Sequence, residues 1–86
     1  MAERLNRQLF NEAKKYLVGG VNSPVRSFKA IGREPVFIKS AKGSRVYGED
    51  SKEFIDYCQS FGALILGHSH PEVVKALEEV LKNGTV

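Results

Sequence analysis

Residues 36–57 read Val36-Phe37-Ile38-Lys39, Ser40, Ala41-Lys42-Gly43, Ser44-Arg45-Val46-Tyr47, Gly48, Glu49-Asp50-Ser51-Lys52, Glu53-Phe54-Ile55-Asp56-Tyr57. Three short segments rich in β-branched and aromatic residues alternate with two polar turns. Val36–Lys39, Ser44–Tyr47 and Glu53–Tyr57 are therefore expected as strands, joined at 41–43 and 49–52 into an antiparallel meander. Three strands alone are weakly stable unless a helix or partner covers one face.

Working upstream, Ala2 to Leu17 is expected as a helix. Leu5, Leu9, Ala13 and Tyr16 recur every three or four residues and share one face. Arg4, Arg7, Lys14 and Lys15 fall mainly elsewhere, and Gly19-Gly20 supplies the stop. Residues 20–35 hold Gly20, Asn22, Pro24, Gly32 and Pro35 with no period, so a long loop is expected. Pro24 drives Ser23 out of the helical region. A loop of that length in a compact chain is either functional or poorly ordered.

Downstream, Pro71 to Lys82 is the clearest helix. Pro71 suits its first position and Glu72 complements its positive start. Val73, Val74, Leu77, Val80 and Leu81 make an apolar stripe, and Lys82, Asn83 and Gly84 end it. The fold class is α+β: helix, long loop, three-stranded meander, helix. All of it, residues 1–86, reads as one small domain. Two apolar stripes and a meander leave much surface to cover, which hints at a larger body.

Composition sets outer bounds. The chain has 86 residues, 42% apolar and 27% charged, ordinary values for a globular protein. The longest apolar run, Ala63-Leu64-Ile65-Leu66, falls far short of the roughly 20 residues of a membrane helix. No apolar block follows the charges in Met1–Asn6, so no secretory leader is expected. The net charge of +3 is interleaved with Glu53, Glu72, Glu78 and Glu79. It reads as a solvated surface rather than a nucleic-acid footprint. Cys58, the one cysteine, forms no internal disulfide and is expected as a half-buried thiol in a reducing compartment.

Three places could carry chemistry. Arg26 follows Asn22, Ser23 and Pro24, and a guanidinium held in such a loop can grip a carboxylate with two parallel hydrogen bonds. The residues alone favour the plainer reading, an exposed arginine beside a turn. His68 and His70 form an H-x-H pair, but no third ligand is evident, and a helix-start turn explains them better than a metal. Gly62 and Gly67 flank 63–66 without the Lys-Ser/Thr of a phosphate loop. Close backbone packing beside a buried apolar run is expected there. Ser60 and Phe61 border a pocket or belong to the core, with core favoured.

A resemblance adds to this reading. Leu9-Phe10, Ala13, Gly19-Gly20-Val21-Asn22-Ser23-Pro24-Val25-Arg26, Phe28-Lys29-Ala30, Pro35-Val36-Phe37-Ile38, Phe54-Ile55-Asp56-Tyr57, Ser60-Phe61-Gly62 and Leu64-Ile65-Leu66-Gly67-His68-Ser69-His70-Pro71-Glu72-Val73 occur in an order that resembles class-III aminotransferases. Within them the chain is similar to the glutamate-1-semialdehyde 2,1-aminomutase family. The I-D-Y and G-H-x-H-P stretches are shared across the class; the N-S-P-V-R loop is particular to the aminomutases.

The resemblance implies the N-terminal part of a pyridoxal-phosphate enzyme of fold type I. Such an enzyme is a cytoplasmic homodimer that converts glutamate-1-semialdehyde to 5-aminolevulinate for tetrapyrroles. Its cofactor cycles between pyridoxamine and pyridoxal phosphate. Ser23 and Arg26 match positions that hold the substrate carboxylate, and Phe61 stands where a tryptophan usually lies near substrate and cofactor. Val18 and Ala63 replace common prolines, and Glu49–Lys52 replaces a D-x-D-G turn. The family's cofactor lysine, phosphate loop and pyridine-pairing acid lie beyond residue 86. No catalytic, cofactor-binding or metal-binding residue is therefore expected in this chain, which alone is expected to be inactive. None of Lys14, Lys15, Lys29, Lys39, Lys42, Lys52, Lys75 or Lys82 is expected to be buried and activated. Other readings are a class-III aminotransferase for an ω-amine or β-amino acid, and an inactive module that only packs or dimerises. No nucleic-acid or membrane partner is expected.

Overall fold

A computed structural model describes residues 2–85; Met1, where the stretch read as lacking a leader begins, and Val86 lie outside the described residues. Strands β1 (Ile38–Lys42), β2 (Arg45–Gly48) and β3 (Glu53–Ile55) pair antiparallel in the order β1-β2-β3, the expected meander.

Its boundaries differ from the expected ones. β1 starts at Ile38 rather than Val36 because the Phe37 backbone is engaged elsewhere: its N–H donates to Asn6 Oδ1 at 3.2 Å and its C=O accepts from the Glu49 N–H at 2.8 Å. β1 also runs on to Lys42, which pairs with Arg45, so the expected three-residue turn shrinks to Gly43-Ser44. Gly43 sits at φ 59, which suits a two-residue hairpin turn. The register slips between Ile38 and Ser40, a bulge that puts Ile38 opposite Gly48. β3 stops at Ile55 rather than Tyr57, because the Asp56 side chain takes over the next amides (below). In the second turn Ser51 takes φ 70, and the Lys52 N–H donates to Asp50 Oδ1 at 3.1 Å.

Helix α1 (Ala2–Ala13) ends short of the expected Leu17. Beyond it the Lys15 and Tyr16 N–H groups donate to Glu12 and Ala13 carbonyls, the tightened bonds of a fraying helix end. The expected loop over 20–35 is ordered by short 3-10 turns at Pro24–Ser27 and Lys29–Ile31, so it is not structureless. α1 docks on the meander through Asn6, whose Nδ2 donates to Asp50 Oδ2 at 3.0 Å while its Oδ1 serves Phe37.

Helix α2 (Pro71–Leu81) begins on Pro71, with Lys82 as its C-terminal cap. Among the described residues it contacts no other helix or strand, and its stripe Val73, Val74, Leu77, Val80 and Leu81 is exposed. The same lack of cover overturns three burial expectations. Cys58, Ser60 and Phe61 are exposed, and in the run expected to be buried Ala63, Ile65 and Leu66 are exposed and Leu64 half-buried. Only Gly20, Pro35 and Gly48 are buried among the described residues. Among the described residues little apolar surface is removed from water.

Candidate functional site

The Arg26 loop is built from the end of α1. After the Gly20 N–H closes a turn on Leu17 O at 2.9 Å, the chain folds back over the Phe10 ring. Gly20 sits at φ 76, and a Cβ there would lie 2.6 Å from Phe10 Cε1, so only glycine fits without a shift. Ser23 is extended (φ -154, ψ 132), as the following proline requires. Pro24 opens a short turn, in which the Arg26 N–H donates to Ser23 O at 3.1 Å and Ser27 Oγ donates to Pro24 O at 2.7 Å.

Arg26 extends from that turn. Its Nη1 donates to Asn22 Oδ1 at 3.1 Å, which fixes one edge of the guanidinium. Among the described residues no carboxylate lies within ion-pair distance of it, unlike Arg7 and Arg45, which pair with Glu34 and Glu53. Four of its five donors remain for a ligand, in a planar fork that matches a carboxylate.

Phe61 lies on a separate 3-10 turn, Gln59–Gly62, which does not touch the Arg26 turn. The structure thus joins Ser23 and Arg26 in one loop and leaves Phe61 apart from them. Phe61 is 93% exposed. The turn is strained: Gln59, Ser60 and Phe61 have φ 46, 53 and 57. Three consecutive non-glycine residues in the left-handed region cost about 3–6 kcal/mol together.

Asp56 holds this turn. Its Oδ1 accepts from the N–H groups of Cys58 (2.9 Å) and Gln59 (3.1 Å), and Gln59 Nε2 donates back to Asp56 O at 2.9 Å. Its Oδ2 lies 2.6 Å from His68 Nε2, with both side chains less than one-fifth exposed (18% and 19%). The hydrogen bond from His68, followed by that from the Gln59 amide, holds the Asp56 carboxyl below its ordinary pKa. His68 is itself pinned by paired backbone bonds with Gly43, each 2.9 Å. Gly67 permits that approach, since a Cβ there would lie 3.0 Å from Gly43 O; Gly62, by contrast, has open space around it.

His68 is thus committed to Asp56, and among the described residues no three His, Cys, Asp or Glu side chains converge on a metal-sized site. A groove of about 680 Å³ between α1, the loop and the sheet includes Asn6, Arg7, Phe28, Glu34 and Phe54 in its lining, but not Ser23, Arg26 or Phe61. All eight lysines are exposed, so the described residues do not fit an aldehyde cofactor, which needs a sheltered amine. The Asp56–His68 pair escaped the sequence reading. The spacing of Asp56 from Cys58 and Gln59 signals a side chain that caps nearby amides, but nothing in the sequence points to a partner twelve residues on.

Residues 28–86 match the family described as aminotransferase class-III, and the chain belongs to it. It is 56% identical over 80 residues to glutamate-1-semialdehyde 2,1-aminomutase of Sulfurihydrogenibium azorense, covering 93% of this chain and 19% of that protein. It is 57% identical over 77 residues to the same-named protein of Persephonella marina, covering 90% and 18%. A solved transaminase with PLP bound superposes with a TM-score of 0.81 at 33% identity, over 99% of this chain and 19% of that one. The chain spans about a fifth of the length of these relatives.

Proposed function

We propose that this chain is the N-terminal portion of a glutamate-1-semialdehyde 2,1-aminomutase, and that its Ser23–Arg26 loop holds the substrate carboxylate. One observation carries the reading. In a chain more than half identical to such aminomutases, Arg26 is fixed by Asn22, with no acid paired to it among the described residues and a fork open to solvent. The Ser23 hydroxyl, next to the same turn, supplies a further donor to the carboxylate.

The complete enzyme is a cytoplasmic homodimer in this reading. The exposed stripe of α2 and the exposed Tyr57, Ile65 and Leu66 are covered by the rest of that body, at about 25 cal/mol per Å² of apolar surface buried. The residues that hold the cofactor belong to the same remainder. Pyridoxamine phosphate, when bound there, supplies the amino group that is exchanged between neighbouring carbons of the substrate. What this chain contributes is orientation. A carboxylate gripped at two points keeps the reacting carbons in place and retains the intermediate between half-reactions. Phe61 lends an aromatic wall near the substrate, without the N–H that a tryptophan would offer.

Product identity tests the reading. The full-length enzyme carrying this segment is expected to convert glutamate-1-semialdehyde to 5-aminolevulinate without an added amino donor. Turnover only of an ω-amine or a β-amino acid with an external keto acid would replace it with another class-III activity.

A further inference from the structure

We propose that Asp56 and His68 are positioning residues that clasp residues 57–67 into a loop and so set the place of the Phe61 ring. This rests on the reading above that Phe61 faces the substrate. Both feet of the loop stand on the β1–β2 hairpin. At the first, the Asp56 N–H donates to Ser44 O at 2.7 Å. At the second, His68 exchanges two backbone bonds with Gly43, and Ser69 Oγ donates to Ala41 O at 2.9 Å. Between the feet the backbone bonds stay inside the loop: Leu64 N–H to Gln59 O at 3.1 Å and Gly67 N–H to Leu64 O at 3.0 Å.

The apex needs outside support. Gln59, Ser60 and Phe61 occupy a conformation that L-residues leave unless something holds them. The Asp56 carboxylate does so with both oxygens. Oδ1 takes the amides that open the strained turn, and Oδ2 takes His68 at the opposite foot. One side chain therefore couples the strained turn to the loop's far end. Swinging the carboxylate away from His68 turns the same group away from the Cys58 and Gln59 amides. A pair that only closed the loop would not need this second duty.

The test uses the full-length enzyme carrying this segment, with His68→Ala and His68→Gln. Amide exchange is followed at Cys58, Gln59 and Leu64, with β1 and β2 as internal reference, beside KM and kcat for glutamate-1-semialdehyde. His68→Ala is expected to speed the loop amides about tenfold or more, to leave the strands unchanged, and to raise KM more than it lowers kcat. His68→Gln, whose amide can still donate to Asp56, is expected to recover most of both effects. Unchanged loop exchange in His68→Ala overturns the proposal, and so does a glutamine variant as impaired as the alanine one. Faster exchange spread over β1 and β2 also overturns it, because the pair would then hold the fold rather than the loop. Selective loop loosening in an enzyme that does not turn over glutamate-1-semialdehyde supports the clasp and removes the functional reading instead.

Discussion

Replacing Gly20 by alanine is expected to loosen the Arg26 loop far more than the same change at Gly19, although the two have nearly the same backbone, φ 76 and 68. The conformational cost of an L-residue there, about 1–2 kcal/mol, is common to both and cancels in the comparison. The surroundings differ. At Gly19 a Cβ meets nothing within 4 Å, whereas at Gly20 it lies 2.6 and 2.9 Å from Phe10 ring carbons and 3.1 Å from Lys14 Cγ. Relieving the overlap means moving the Phe10 ring, and with it the Lys14 ammonium that sits 4.2 Å over its centroid. Forced overpacking of this kind costs about 1–3 kcal/mol, about 5- to 150-fold in an opening equilibrium. Native-state amide exchange at Arg26, whose N–H is held by Ser23 O, reads that equilibrium locally. The Gly20→Ala enzyme should exchange there faster than Gly19→Ala by that factor, and adding Phe10→Ala should remove the difference. Equal exchange in the two single variants would refute the packing role assigned to Gly20.

Two further outcomes follow from the same geometry. Asn6→Ala deletes the acceptor of the Phe37 N–H and the donor to Asp50, so Phe37 exchange should rise by the equivalent of about 1–3 kcal/mol; an unchanged rate would remove Asn6 from the docking of α1. Asp56 titrates below its ordinary value when folded, so its carboxylate contributes stability fully above about pH 4. That contribution is lost as pH falls through the lowered folded value. Protection of the Cys58 and Gln59 amides, corrected for intrinsic rates, should therefore persist down to about pH 4 and fall below it, a fall that Asp56→Asn should abolish.

Local chemistry made much of the fold legible. The α2 stripe, with Pro71 before it and Gly84 after it, fixes a helix whatever surrounds it. The turn residues at 43 and 49–52 fix the order and sense of the strands. What escaped is set by contacts between residues far apart in the chain. β1 begins two residues late because Asn6, on α1, takes the Phe37 amide. β3 ends early because, past Asp56, its carboxylate rather than a neighbouring strand takes the Cys58 and Gln59 amides. Burial misled for a different reason. Phe61, Ile65 and Leu66 have the composition of a core, but a core needs a second surface, and among the described residues all three stay exposed. At the site, the Ser23-Pro24 step announced an extended residue followed by a turn. The hold of Asn22 on Arg26 appears only in three dimensions, since four-residue spacing outside a helix carries no facing rule.

The most direct measurement is the KM for glutamate-1-semialdehyde of Arg26→Ala in the full-length enzyme carrying this segment, beside Arg26→Lys. Loss of a charge-assisted pair costs about 1.5–3 kcal/mol, so KM should rise about 10- to 150-fold. Lysine, a point charge without the fork, should recover only part of that. A KM unchanged in Arg26→Ala would contradict the assignment of this loop as the substrate-carboxylate anchor.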